Sequence, residues 1–171
     1  MTIYATYRHP VATGARVPAV LLIAGSGPTN RNGNSALEYG LINTLKALAD
    51  WLSDDGVASL RDDKLGSGAT GLSTYATHPA SIGITVFERE SKSALHFLSR
   101  QPQVNAKRLG VFGHSDGALF ALMLASAHPG STPPIHAVGL FEPLSESRCR
   151  STPHSPRRSR RARSHLRSLP K

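Results

Sequence analysis

The sequence predicts an α/β domain with a mostly parallel sheet and helices on both faces, and three observations carry that expectation. Short apolar runs of strand character alternate with segments whose leucines and alanines recur at helical spacing, an order that implies βαβ crossovers. A glycine-rich turn carrying a serine, Gly113-His114-Ser115-Asp116-Gly117, stands between one such run and one such segment. With 171 residues, 39% hydrophobic and 18% charged, the chain is long enough for one sizeable core and too short for two.

Taken in order, residues 3–7 and 17–23 read as strands that can pair as neighbours across the turn-rich residues 9–16, which include Pro10 and Gly14. Gly25-Ser26-Gly27-Pro28 follows, then a polar loop to Asn34. Ser35 and Glu38 have the spacing of a capping box, so a helix is expected to start there. Leu41, Leu45, Leu48 and Leu52 form its apolar stripe, and Gly56 ends it. Residues 57–60 read as a short buried strand, ending in Arg61-Asp62-Asp63-Lys64 and a glycine-rich loop from Gly66 to Gly71. Asp62 and Asp63 are expected to be a solvated loop pair. Residues 81–100 carry Ile84, Phe87, Ala94, Leu95 and Leu98 near helical spacing, with Gly83 weakening the first turn. A strand at 108–112, the serine turn, a helix at 118–127 stopped by Pro129 and Gly130, and a strand at 135–141 complete the pattern.

The formal charge of +9 is confined to one end. Residues 1–147 hold 11 Lys and Arg against 11 Asp and Glu, whereas residues 148–171 hold 9 basic residues and no acid. The chain therefore divides into a nearly neutral core, 1–144, and an Arg/Ser/Pro-rich segment, 145–171, whose composition predicts disorder. Three readings compete for that segment: an arm for nucleic-acid phosphates, an arm for an anionic membrane, and the product of a reading-frame shift in GC-rich coding DNA. The last is favoured, because no aromatic is present to stack on bases and the switch to Arg, Ser and Pro is abrupt. The single cysteine, Cys149, permits no internal disulfide and no multi-cysteine metal site. No run is long enough to span a membrane and Met1 to Pro10 lacks the features of a signal peptide, so a cytoplasmic location is the expectation.

The chemistry sits in the serine turn. A strand followed at once by a helix needs so sharp a turn that glycines flank the serine and leave its hydroxyl projecting above the sheet, as a nucleophile. The helix behind it aims its positive end, and the Asp116 N–H, at the place where an oxyanion would form. A second donor is expected from the glycine-rich loop after residues 17–23, with Ser26 N–H preferred. No Gly-Lys-Ser/Thr follows that loop, so a phosphate-binding loop is not expected. His114, beside the nucleophile, reads as a packing residue. His78, His96, His128 and His136 show no ligand spacing, and His154 and His165 lie in sequence with no predicted fold to hold them.

The segments Leu21 to Gly33, Leu60 to Gly68 and Gly113 to Gly117 together resemble the α/β-hydrolase superfamily, especially its bacterial esterase and dienelactone-hydrolase-like members. The resemblance covers residues 1–144. It implies attack by Ser115 on an ester or related acyl bond, an acyl-serine intermediate, an oxyanion hole from the Ser26 and Asp116 N–H groups, a small-molecule substrate, and no metal or organic cofactor. Ala24 stands where the family usually has histidine. In that family the acid and the histidine of the triad follow the nucleophile on loops after two later strands. Only 56 residues follow Ser115 and the pattern ends near Leu144, so the chain is expected to be the N-terminal part of the fold, with the triad acid and histidine missing. Three functional expectations result: a serine hydrolase, a non-catalytic truncated remnant, or a basic-tailed nucleic-acid-binding protein. The strand at 135–141 would also be an exposed edge, favouring dimerisation or aggregation.

Overall fold

The computed structural model describes residues 1–11 and 14–143. Its elements, in chain order, are β1 (Ala5–Arg8), β2 (Val17–Ile23), α1 (Thr44–Asp54), β3 (Ala58–Asp62), α2 (Ile84–Ser99), β4 (Val104–His114), α3 (Asp116–Ala125) and β5 (Ile135–Phe141). They build one five-stranded sheet in the order β1-β3-β2-β4-β5, parallel except at β1. The predicted segment 145–171 lies outside the described residues.

Helices lie on both faces of the sheet, and the alternation of side chains along β2 shows how they cover its centre. Leu21 and Ile23 join Leu60, Leu95, Leu98, Leu109, Val111 and Leu124 in the larger core, under α2 and α3. Leu22 points the other way, into a smaller core with Ala24, Leu45 and Ala49 under α1. A fully buried leucine contributes about 2 kcal/mol, which is why an apolar run marks the central strand.

Two expectations need correction. The first two strands are not neighbours: β1 pairs antiparallel with β3, Ala5 opposite Asp62 and Arg8 opposite Ser59, while β2 lies between β3 and β4. β2 is buried along most of its length and belongs inside the sheet, whereas the half-exposed β1 suits an edge. Nor does the first helix begin at Ser35. Ser35 Oγ accepts from the Leu37 N–H at 3.2 Å, closing a local turn, and α1 starts nine residues later. The start is set from a distance: the Asn32 carbonyl accepts from the N–H groups of Leu45 and Lys46 at 3.1 and 3.3 Å. Asn34 and Asn43 exchange two hydrogen bonds of 2.8 and 2.9 Å, holding Asn43 at φ 56° just before the helix. Leu41 is consequently exposed, and the buried stripe begins at Leu45.

Candidate active site

Ser115 sits between the last residue of β4 and the first of α3 with φ 52° and ψ −118°, a backbone conformation that a non-glycine residue adopts only under constraint. The constraint comes from the neighbouring glycines. A Cβ on Gly113 would collide with the Gly117 carbonyl, and one on Gly117 would run into the Ile23 carbonyl and stand 2.8 Å from that of Ala24. The helix start is thus pressed onto the end of β2, backbone against backbone. The Ser115 N–H donates to the Phe141 carbonyl at 2.9 Å, tying the turn to the end of β5 as well. Behind it α3 buries Gly117, Ala118 and Ala121, small residues that let the helix approach the sheet closely.

The loop after β2 lies against this turn. A Cβ on Gly25 would be 3.3 Å from Ser115 Cβ and 3.2 Å from His114 Nδ1, contacts tight enough to favour glycine. The Ser26 and Asp116 N–H groups donate to no acceptor among the described residues. Thr29 Oγ1 donates to the Ser26 carbonyl at 2.8 Å, and Lys64 Nζ donates to the Gly25 carbonyl. His114 packs its ring on Phe141, 5.4 Å between centroids, and places Nε2 3.2 Å from Glu142 Oε2. None of the described histidines makes a hydrogen bond to Ser115.

Asp62 and Asp63 depart from the expected solvated pair: both are buried, Asp63 with only 2% of its surface exposed. Burial pushes the Asp63 carboxyl up, but hydrogen bonds from the Arg31 side chain and the Arg31 and Ala69 N–H groups outweigh it, leaving the group below its ordinary value. Asp62 pairs with Glu90 of α2. Burial of two adjacent carboxyls raises Asp62 to about 6 and Glu90 to about 8, so the pair keeps a proton near neutrality. Glu90 also accepts from the Leu65 N–H at 3.0 Å. Burial lowers the Lys64 ammonium, partly offset by Asp116, Glu90 and Asp62. Lys64 and Glu90 were not singled out from the sequence. The only signal lay in the charged run following a buried strand, and their partners are 25 or more residues away.

Two cavities lie on the α2 side. The larger, about 720 Å³, opens between β1 and α2 over Asp62 and Glu90. The smaller, about 320 Å³, touches the serine turn through Asp116 and is walled by Pro28, Leu65, Phe87 and Phe120, with Lys64 at its side. Its position beside the turn and the Gly25 loop makes it the better candidate for a substrate group. Among the described residues no cluster of acidic, histidine or cysteine side chains could hold a metal ion. No helix among them is long and apolar enough to cross a membrane.

Known structures share this fold. The dienelactone hydrolase-like promiscuous phosphotriesterase from metagenomic libraries superposes with a TM-score of 0.58 at 20% identity, over 82% of this chain and 54% of that one. The chain has the α/β-hydrolase fold. A second α/β hydrolase, the dienelactone hydrolase from Anabaena variabilis, gives a TM-score of 0.55 at 23% identity, over 81% of this chain and 56% of that one. The Butyrivibrio proteoclasticus protein Est1E, solved with ferulic acid bound, gives 0.51 at 21% identity, over 72% and 43%. The chain thus spans about half the length of these α/β hydrolases. Residues 87–144 also match the family described as BAAT / acyl-CoA thioester hydrolase C terminal, so α2 through β5 resemble a hydrolase in sequence as well as in shape. A comparison with curated protein sequences finds no significant match.

Proposed function

We propose that the chain carries the nucleophile and oxyanion hole of a serine hydrolase acting on a small carboxylic ester or related acyl compound. Ser115 Oγ gives up its proton to a base and attacks the acyl carbon, and the carbonyl oxygen takes up negative charge between the Ser26 and Asp116 N–H groups; the bond to the leaving alcohol or thiol then breaks as that group takes the proton, and water hydrolyses the acyl-serine to the carboxylic acid and the free serine hydroxyl. The observation that carries this reading is the backbone of Ser115, held at φ 52° and ψ −118° by two glycines that tolerate no side chain. Strain of this kind costs about 1–3 kcal/mol and persists where the surroundings impose it, characteristically at functional sites. The unpartnered Asp116 N–H follows Ser115 directly, Gly25, whose peptide carries the unpartnered Ser26 N–H, packs against Ser115, and the 320 Å³ apolar cavity beside Asp116 suits a compact acyl group. The hydroxyl still needs a base to take its proton, and no described histidine is hydrogen-bonded to it.

The test is hydrolysis of a short-chain p-nitrophenyl ester by the full chain, its Ser115→Ala variant and a protein-free blank. Turnover above the blank that the substitution abolishes supports the reading. Activity no higher than the blank in folded protein overturns it and leaves a non-catalytic chain with the serine turn preserved. Salt-sensitive nucleic-acid binding that disappears on deleting residues 148–171 would instead favour the basic-tail alternative.

A further inference from the structure

Lys64 joins three parts of the site that are far apart in sequence. Its Nζ donates to the Gly25 carbonyl, 39 residues away, and lies 6.0 Å above the Phe87 ring. Burial disfavours its charge, an effect partly offset by Asp116 at the start of α3 and by the Asp62 and Glu90 carboxyls. The acceptor matters more than the pairing. The Gly25 carbonyl and the Ser26 N–H belong to one planar peptide unit, and in a trans peptide they point in opposite directions. A hydrogen bond that fixes the carbonyl therefore fixes the aim of the N–H. A cationic donor on the carbonyl also draws electron density from the amide and strengthens its N–H as a donor. Thr29 Oγ1 holds the next carbonyl at 2.8 Å, and Gly25 is pressed against Ser115 and His114, so this peptide unit is bracketed on each side.

We propose that Lys64 is a positioning residue for the oxyanion hole: by holding the Gly25 carbonyl it aims and polarises the Ser26 N–H at the carbonyl oxygen of the substrate. The catalytic part of this inference rests on the acyl-transfer reading above, while the aim of the peptide unit stands independently of turnover. Lys64 does not touch the reacting atoms. Its removal acts on the transition state more than on substrate binding, because the oxyanion exists only after attack.

The experiment uses the full chain, isotopically labelled, with Lys64→Met and Lys64→Arg. The expected result is that Lys64→Met shifts the Gly25 carbonyl carbon and the Ser26 amide signals while the rest of the spectrum is kept, and that Lys64→Arg leaves both near their wild-type positions. In ester hydrolysis Lys64→Met lowers kcat about ten- to a hundredfold with KM little changed, and Lys64→Arg restores most of the loss. In the unmodified protein the Gly25 carbonyl signal follows the deprotonation of Lys64 at alkaline pH, which requires no variant to fold. A Gly25 signal indifferent to that titration, or Gly25 and Ser26 signals unmoved in a folded Lys64→Met protein, overturns the proposal even if the ester is turned over. Signals that respond as expected in a protein without esterase activity uphold the positioning and overturn the acyl-transfer reading instead.

Discussion

Arg31 Nη2 lies 2.6 Å from Asp63 Oδ2, joining the loop after β2 to the end of β3. Asp63 also accepts from the Arg31 and Ala69 N–H groups, both at 2.8 Å, so one buried carboxylate closes two loops around the site. Asp63→Ala leaves a guanidinium and two amides without their acceptor. The expected cost is about 2–4 kcal/mol, read from urea unfolding. A loss below 0.5 kcal/mol, the size expected of an ordinary surface change, would mean that the carboxylate does not hold the loops.

The Asp62–Glu90 pair predicts an unusual pH dependence. Glu90 moves from an ordinary 4.5 to about 8 on folding. Between those values the native chain binds more protons than the unfolded one, so stability is full below the lower value and falls as pH rises toward the upper one. Glu90→Gln keeps an acceptor for the Leu65 N–H and removes the titration. Its unfolding free energy should be flatter than wild type across this window, and the same slope in both proteins would show that the pair is not the source.

Ser115→Gly separates strain from chemistry. Glycine adopts positive φ freely, so this variant should be more stable than wild type by about 1 kcal/mol, whereas Ser115→Ala should show no such gain. Any esterase activity should be lost in both. Equal stabilities of the Gly and Ala variants would mean that the turn carries no strain.

The helix start tolerates no side chain at Gly117, where a Cβ would meet the carbonyls at the end of β2. Gly117→Ala must therefore push α3 away from the sheet, at about 3 kcal/mol or more. Thermal unfolding near that of wild type would contradict the packing described for the turn.

Among the described residues β5 is an edge strand, with Val138, Leu140 and Phe141 each exposed by 40% or more. Its seven residues contain neither lysine nor proline to discourage pairing. Concentration-dependent self-association, measured by analytical ultracentrifugation, should weaken in Val138→Lys. A monomer at all concentrations would show that the edge is protected.

Legibility in the sequence followed the range of the interactions. β2 and β5 are legible to the residue, because short runs rich in apolar and β-branched residues between turn residues mark a strand whether it ends up buried, as β2 does, or at the edge, as β5 does, and the serine turn is legible because its glycines are demanded within five residues. The start of α1 was misplaced because the Asn32 carbonyl and the Asn34–Asn43 pair outcompete a serviceable local cap at Ser35. Asp62 and Asp63 read as solvated from the sequence because nothing local announces Glu90 or Arg31 as partners, and nothing local marks Lys64 for the same reason. Fold class and the serine turn are local patterns, whereas the charges buried around them are paired through space.

The contacts that place Ser115 are made by main-chain atoms: Gly113 against Gly117, Gly117 against the carbonyls of Ile23 and Ala24, and the Ser115 amide on Phe141. Such contacts are indifferent to which side chains surround them, provided two positions stay glycine. Substitutions among the neighbouring side chains can therefore accumulate without moving the hydroxyl, and the position of Ser115 is set by the chain path more than by the chemistry around it.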